Sequence, residues 1–235
     1  LVEAEAPRVL LQMLDGGREA PATALADGVA ELAVDRTFAV PDWVGSEVLF
    51  VSHLVGVAAE GNPVALTLFG DMLIVGEVVA QDMVRGAGML QQAADMGFPP
   101  AMDSLALSFD YAEGVERDWD LASRWYRAAA AAGVPRAQTN LALMYLDGLG
   151  LDADPVAAAA WFQRAARNGD ARGQYHLGRL YENGTVTGEP DYGAAAEQYR
   201  LATEQGYALA ANALGYLKQH GYGTSLDPAA AAELY

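Results

Sequence analysis

Asp154-Pro155-Val156-Ala157-Ala158-Ala159-Ala160-Trp161-Phe162-Gln163-Arg164-Ala165-Ala166-Arg167-Asn168-Gly169 decides the fold. Asp is a good N-cap, because its carboxylate accepts from the free N–H groups of the first helical turn. Pro at the next position gives up an N–H that has no helical partner there. Gly suits the left-handed position just past a helix end. The stretch therefore reads as one capped helix, here termed helix B.

The same punctuation recurs along the chain. Gly61, Gly97, Gly133, Gly169 and Gly206 are spaced 36, 36, 36 and 37 residues apart. Asp82, Asp118, Asp154, Asp191 and Asp227 are spaced 36, 36, 37 and 36. A one-residue insertion near Thr185–Glu189 explains the shared 37. Ser46 stands one period before Asp82, which extends the register to a helix over Ser46–Gly61. Between each Gly and the next Asp lies a second helix, A. Its columns are Ala65, Ala101, Ala137, Gly173 and Ala210, then Phe69, Leu105, Leu141, Leu177 and Leu214, then Gly70, Ala106, Ala142, Gly178 and Gly215. One large apolar residue between two small ones lets neighbouring helices approach closely. Phe109, Tyr145 and Tyr181 follow, and then a turn carrying Gly76, Ala112, Gly148, Gly184 and Gly221. Each unit is helix, Gly-rich turn, helix. Such units bury their apolar faces only by stacking.

Composition bounds the function. The chain has 235 residues with 14 Lys+Arg against 31 Asp+Glu, a net charge of -17. That balance opposes nucleic-acid binding, which needs cations against phosphate, and docking on anionic lipid. With no cysteine, disulfides, thiolate nucleophiles and Cys-based zinc sites are absent. The basic residues are 13 Arg and Lys218, and with abundant Ala and Gly this bias points to a GC-rich bacterial genome. The longest uncharged stretches, Val48–Ala59 and Gln205–Leu217, are 12 and 13 residues long, short of the roughly 18 a spanning helix needs. We expect no membrane insertion. The first residue is Leu1 rather than Met, which favours a processed, periplasmic or secreted protein over a cytoplasmic one.

The pattern Ala-x3-Leu-Ala/Gly-x2-Tyr-x2-Gly-x-Gly, followed by Asp-x6-Trp-aromatic-x2-Ala-Ala-x2-Gly, resembles the Sel-one-like repeat (SLR) family, a relative of the tetratricopeptide repeat. Leu141-Ala142, Tyr145, Gly148, Gly150, Asp154, Trp161-Phe162, Ala165-Ala166 and Gly169 carry it. Leu177-Gly178, Tyr181, Gly184, Asp191, Tyr199 and Gly206 repeat it, and Trp125-Tyr126 with Ala129-Ala130 match in the unit before. The resemblance spans about 98–228 strongly and 47–97 weakly. It implies an all-α fold, a right-handed α-α superhelix (solenoid) of helix-turn-helix repeats. Residues 1–45 are expected to form degenerate N-terminal capping helices, around Leu10, Leu11, Leu14, Leu25, Val29 and Leu32. Residues 46–235 are expected to form the solenoid, truncated in its last helix. The missing cysteines set the chain apart from disulfide-stapled members of the family.

Catalytic signals are weak. His53, His176 and His220 lie in three different repeats, none with a second His at i+3 or i+4, so a helix-borne metal pair is missing. No Gly-x-Ser-x-Gly elbow, phosphate loop or dinucleotide fingerprint occurs. The acidic turns at Asp147, Asp152 and Asp154, and at Glu113, Glu116, Asp118 and Asp120, lack the twelve-residue calcium-loop pattern, and capping accounts for one Asp in each. Trp125 and Trp161, seven residues past their caps, read as core between repeats. Trp119, in a first helical turn, reads as partly exposed. We expect no cofactor.

The resemblance implies that helix A lines a concave ligand-binding surface. Its non-core positions vary from repeat to repeat: Ser104 and Leu107; Arg136, Asn140 and Leu143; Arg172, His176 and Arg179; Ala213 and Tyr216. Arg172, His176 and Arg179 fall at i, i+4 and i+7, one stripe of one helix, with Arg136 on the preceding A helix and Tyr175 and Asn212 flanking. This is a basic patch in an acidic protein. It suits a protein or peptide partner bearing an acidic segment or a carboxylate, which Arg grips with two hydrogen bonds. The competing reading is a solvated surface neutralised by Asp170 and Glu182, each within one turn of an Arg. The function expected is a non-enzymatic adaptor or regulatory scaffold. Alternatives are a regulator that sequesters a sensor or enzyme, and a hydrolase of cell-wall or other glycans. A hydrolase needs two facing carboxylates, for which Asp103, Asp110 and Glu182 are the helix-A candidates.

Overall fold

The computed structural model describes residues 43–235. The capping helices expected over 1–45 lie, up to residue 42, outside the described residues. Eleven helices follow in chain order: α1 (Trp43–Ala59), α2 (Pro63–Val75), α3 (Met83–Asp95), α4 (Pro99–Tyr111), α5 (Trp119–Ala131), α6 (Pro135–Asp147), α7 (Pro155–Arg167), α8 (Ala171–Glu182), α9 (Tyr192–Glu204), α10 (Ala208–His220) and α11 (Pro228–Leu234). No strand occurs among them. The fold is an all-α solenoid of tandem helix-turn-helix repeats. Even-numbered helices are A and odd-numbered ones are B. The chain divides into two compact units, one ending at Arg117 and one running from Asp118 to Tyr235.

The five aspartate caps of the B helices form as the spacing predicts. Asp154 Oδ1 accepts from the N–H groups of Val156 and Ala157, each at 3.0 Å. Asp82, Asp118, Asp191 and Asp227 each accept from the N–H three residues on, at 2.9–3.1 Å. Four of these five aspartates, all but Asp118, also close their hairpins through the main chain. The Asp154 N–H donates to the Tyr145 carbonyl at 2.8 Å, and those of Asp82, Asp191 and Asp227 donate to Leu73, Tyr181 and Lys218, each at 2.9 Å. The helix A caps follow no such rule. Asn62 and Asp170 cap α2 and α8 with their side chains, whereas Phe98, Val134 and Tyr207 make no side-chain cap. At the N-terminal end of the described chain, α1 begins at Trp43, so Ser46 lies inside the helix and does not start it as the register predicts.

The core follows the small–large–small columns. Ala137, Leu141 and Ala142 are fully buried, as are Ala101 and Ala106 around Leu105. Within the second unit, a Cβ on Gly178 would lie 2.6 Å from the Tyr199 ring, so only Gly admits that ring. The aromatic columns sort differently from expectation. Tyr126, Phe162 and Tyr199 are 0% exposed, while Trp125 and Trp161, one residue earlier, are half-buried at the margin. Each helical residue turns about 100° from the last, so adjacent aromatics cannot both face the centre. Trp119 is 38% exposed, as read from its place in a first turn.

Polar ties between repeats add to this packing. The Gln138 amide donates to the Ala130 carbonyl at 3.1 Å and the Gln174 amide to the Ala166 carbonyl at 3.3 Å. Each satisfies an end carbonyl of the preceding B helix. Gln138 also accepts from Asn168 at 3.0 Å and Gln174 from Gln205 at 2.8 Å. The 36-residue interval between Gln138 and Gln174 was the available signal for this pair.

Two turn positions set the strain of the fold. Ala112 ends α4 with φ +62°, left-handed and without the freedom of Gly, where Gly76, Gly148 and Gly221 stand in other repeats. Gly150 has φ +66°, and a Cβ there would meet the Trp119 carbonyl oxygen at 1.9 Å. Urea denaturation tests both. Ala112→Gly is expected to stabilise the protein by about 0.5–1 kcal/mol, the left-handed penalty less the added chain entropy of Gly. Gly150→Ala is expected to destabilise it by about 3 kcal/mol, because backbone must move away from backbone. Equal stability of either variant and wild type would contradict this assignment of strain.

Candidate functional site

The second unit presents the helix-A stripe on α6, α8 and α10. On α6, Asn140 is only 6% exposed, deeper than its place on a variable face suggested. Its Oδ1 accepts from Arg172 Nη2 at 2.5 Å, while its Nδ2 is buried with no hydrogen-bond partner. Arg136 and Leu143 are half-buried, and Leu143 packs on the cluster built around Phe162 and Leu177. On α8, Arg172, Tyr175 and His176 are half-buried and Arg179 is exposed. The His176 ring stacks on Phe162 at 5.2 Å and 17°, and the Tyr175 ring meets it edge-on at 5.2 Å. Tyr175 also packs against Tyr199 and Tyr207, at 5.8 and 5.4 Å. On α10, Asn212 and Tyr216 are exposed.

The structure thus joins Asn140 to Arg172 and Tyr175 to His176. Tyr216 belongs to another group, with its ring 4.4 Å from His220 and 6.3 Å from Tyr222.

The two acids expected to neutralise the stripe are engaged elsewhere. Asp170 caps α8, accepting from the Gly173 N–H at 2.6 Å and from the Thr139 hydroxyl at 2.9 Å. Glu182 accepts from the Tyr199 hydroxyl at 2.6 Å. Burial, and then this bond, hold the Tyr199 phenol well above its ordinary pKa. Among the described residues neither Arg172 nor Arg179 has an ion pair with a carboxylate, and Arg179 has no hydrogen bond. Two uncompensated guanidinium groups therefore stand one turn to either side of His176, with Tyr175 beside them.

Chemistry of other kinds finds little support. Among the described residues no group of three or more His, Asp or Glu is placed to hold a metal. No helix among them is long and apolar enough to cross a membrane. Asp103 is 1% exposed, closed to a bulky sugar, and Glu182 is held by Tyr199. The sequence reading also missed a set of exposed arginines on α5 and α7, namely Arg124, Arg127, Arg164 and Arg167. Their signal was a B-helix sequence with no acid at all in α7 and only Asp120 in α5.

Comparisons with known proteins agree with the repeat. The sequence profile described as "Sel1 repeat" matches residues 63–98, 99–134, 135–170, 171–207 and 208–235. No curated protein matches the chain significantly. Among solved structures, the chain is similar to a protective antigen of uropathogenic Escherichia coli with an SLR fold, at 34% identity and TM-score 0.72. That match covers 79% of this chain, which spans only 39% of the antigen. It is similar to a Sel1 repeat protein from Oxalobacter formigenes at 27% identity and TM-score 0.71, covering 79% of this chain and 73% of that one. An immunity protein from Pseudomonas aeruginosa shares the fold, at 21% identity and TM-score 0.55, over 93% of this chain and 76% of that one. With five consecutive units matched end to end, the chain belongs to the Sel1 repeat family.

Proposed function

We propose that the chain captures a partner protein on the helix-A face of its second unit, and that Arg172 and Arg179 receive an acidic segment or a terminal carboxylate of that partner. The observation that carries this reading is that, among the described residues, neither arginine makes an ion pair, in a protein with 31 acids. A carboxylate arriving there meets planar guanidinium donors able to form two parallel hydrogen bonds each. Arg172 is already oriented by Asn140, which lowers the cost of ordering it on binding. The rings of Tyr175 and His176 supply an adjoining apolar edge on which a partner side chain rests. Such a site acts by holding a partner, not by turnover.

The test is affinity capture from the native host with wild type and with R172E/R179E, followed by identification of the captured protein and titration with that purified partner. The double reversal is expected to cut affinity at least about tenfold, since hydrogen bonds to charged groups contribute about 1.5–3 kcal/mol each. The helical circular-dichroism spectrum is expected to stay unchanged. R172K/R179K is expected to recover only part of the loss, because Lys keeps the charge without the fork. Undiminished capture by R172E/R179E would remove these residues from the interface.

A further inference from the structure

Helices α5 and α7 occupy equivalent places in successive repeats of the second unit. The outward stripe of α5 carries Asp120, Arg124 and Arg127, and that of α7 carries Arg164 and Arg167. Each pair of arginines is spaced i, i+3, so both guanidinium groups leave the helix on one side. In the 36-residue register Arg164 stands one residue past the equivalent of Arg127. The Arg164–Arg167 pair therefore begins where the Arg124–Arg127 pair ends in register, about one helical turn further along its helix. All four residues are exposed, and among the described residues none of them makes a hydrogen bond or an ion pair. Arg164 lies over the Trp161 ring, 4.4 Å from its centroid.

The next B helix supplies an internal contrast. On α9, Arg200 bonds to both Glu197 and Glu204, at 2.7 Å to the former. Acids outnumber bases 31 to 14 in this chain, so partners for surface arginines are abundant in composition. On α7 there are none, and on α5 there is only Asp120. Four uncompensated arginines thus form a local positive surface on a molecule of net charge -17.

We propose that this helix-B surface is a second docking site, and that its occupant is a short Asp/Glu-rich segment of a partner protein. Charge complementarity selects an anion, and the guanidinium fork suits carboxylates. Extent selects among anions. The patch is confined to four side chains on the B helices of two successive repeats, while screening at physiological salt acts over about 8 Å. A nucleic acid or an anionic membrane extends its charge far beyond that range and meets the acidic remainder of the protein. A short acidic segment confines its charge to the patch. Trp161 holds Arg164 in place before binding, which reduces the ordering cost. None of these residues belongs to the helix-A stripe, so the two sites stand or fall separately.

A short synthetic Glu-rich peptide is the probe, titrated into the full chain at low and at physiological salt. Because Arg164 covers Trp161, occupancy is read from the fluorescence that distinguishes wild type from Trp161→Phe. The peptide is expected to perturb that signal, more strongly at low salt. R124E/R127E/R164E/R167E is expected to lower affinity about tenfold or more with its helical spectrum intact. The milder R164Q/R167Q, which keeps the fold safe, is expected to lower it about threefold. R172E/R179E is expected to keep the Trp161 response, which separates failure here from failure of the helix-A site. The proposal is overturned if R164Q/R167Q and the fourfold reversal bind the peptide as wild type does. It is equally overturned if a DNA oligonucleotide or phosphatidylglycerol vesicles produce the Trp161 response and the peptide does not.

Discussion

At four of the B helices one aspartate both caps the helix and holds its hairpin together. Asp154 uses its carboxylate to accept from the first turn of α7 and its own N–H to reach the Tyr145 carbonyl at the end of α6. One residue thus starts one helix and ties it to the helix before. The same pair of hydrogen bonds recurs at Asp82, Asp191 and Asp227. Remove the carboxylate and the first-turn N–H groups lose a partner. The N–H meets its carbonyl nine residues back at Asp82, Asp154 and Asp227 and ten back at Asp191, so the turn takes up the inserted residue.

Close approach is the second constraint, and it explains where small residues are obligatory. Gly150 lies against the Trp119 carbonyl, and Gly178 against the Tyr199 ring. These contacts draw turn onto helix and helix onto helix, which buries Tyr126, Phe162 and Tyr199 completely. With the apolar material committed to the seams, the outward faces of the helices are left to charge. In the second unit the helix-A face offers Arg172 and Arg179, and the helix-B face offers Arg124, Arg127, Arg164 and Arg167. The acids of the chain are partly spent on caps, at Asp118, Asp154, Asp170, Asp191 and Asp227. A strongly acidic protein can in this way keep local surfaces of opposite sign.

The period, the caps, the turn glycines and the solenoid class were all legible in the chain. Each rests on groups within a few residues of one another, so spacing alone carries the information. Family resemblance was legible for the same reason. Which of two adjacent aromatics faces inward was not. Trp161 and Phe162 differ by one helical step, and only the neighbouring helices decide that Phe162 takes the centre. Asn140 was legible as a member of the helix-A stripe, yet its burial depends on Arg172, 32 residues on.

The charge state of the candidate sites shows the same division most plainly. By sequence, Asp170 and Glu182 are the natural partners of Arg172 and Arg179, each within a turn. In the folded chain Thr139 takes one carboxylate and Tyr199 the other, from 31 and 17 residues away. The sequence by itself determined where helices begin and end and that they repeat, because helix ends are satisfied locally. The tertiary structure decided which side chains are spent and which are left to bind, because competition for a carboxylate is settled by whatever the next helix brings within hydrogen-bond reach.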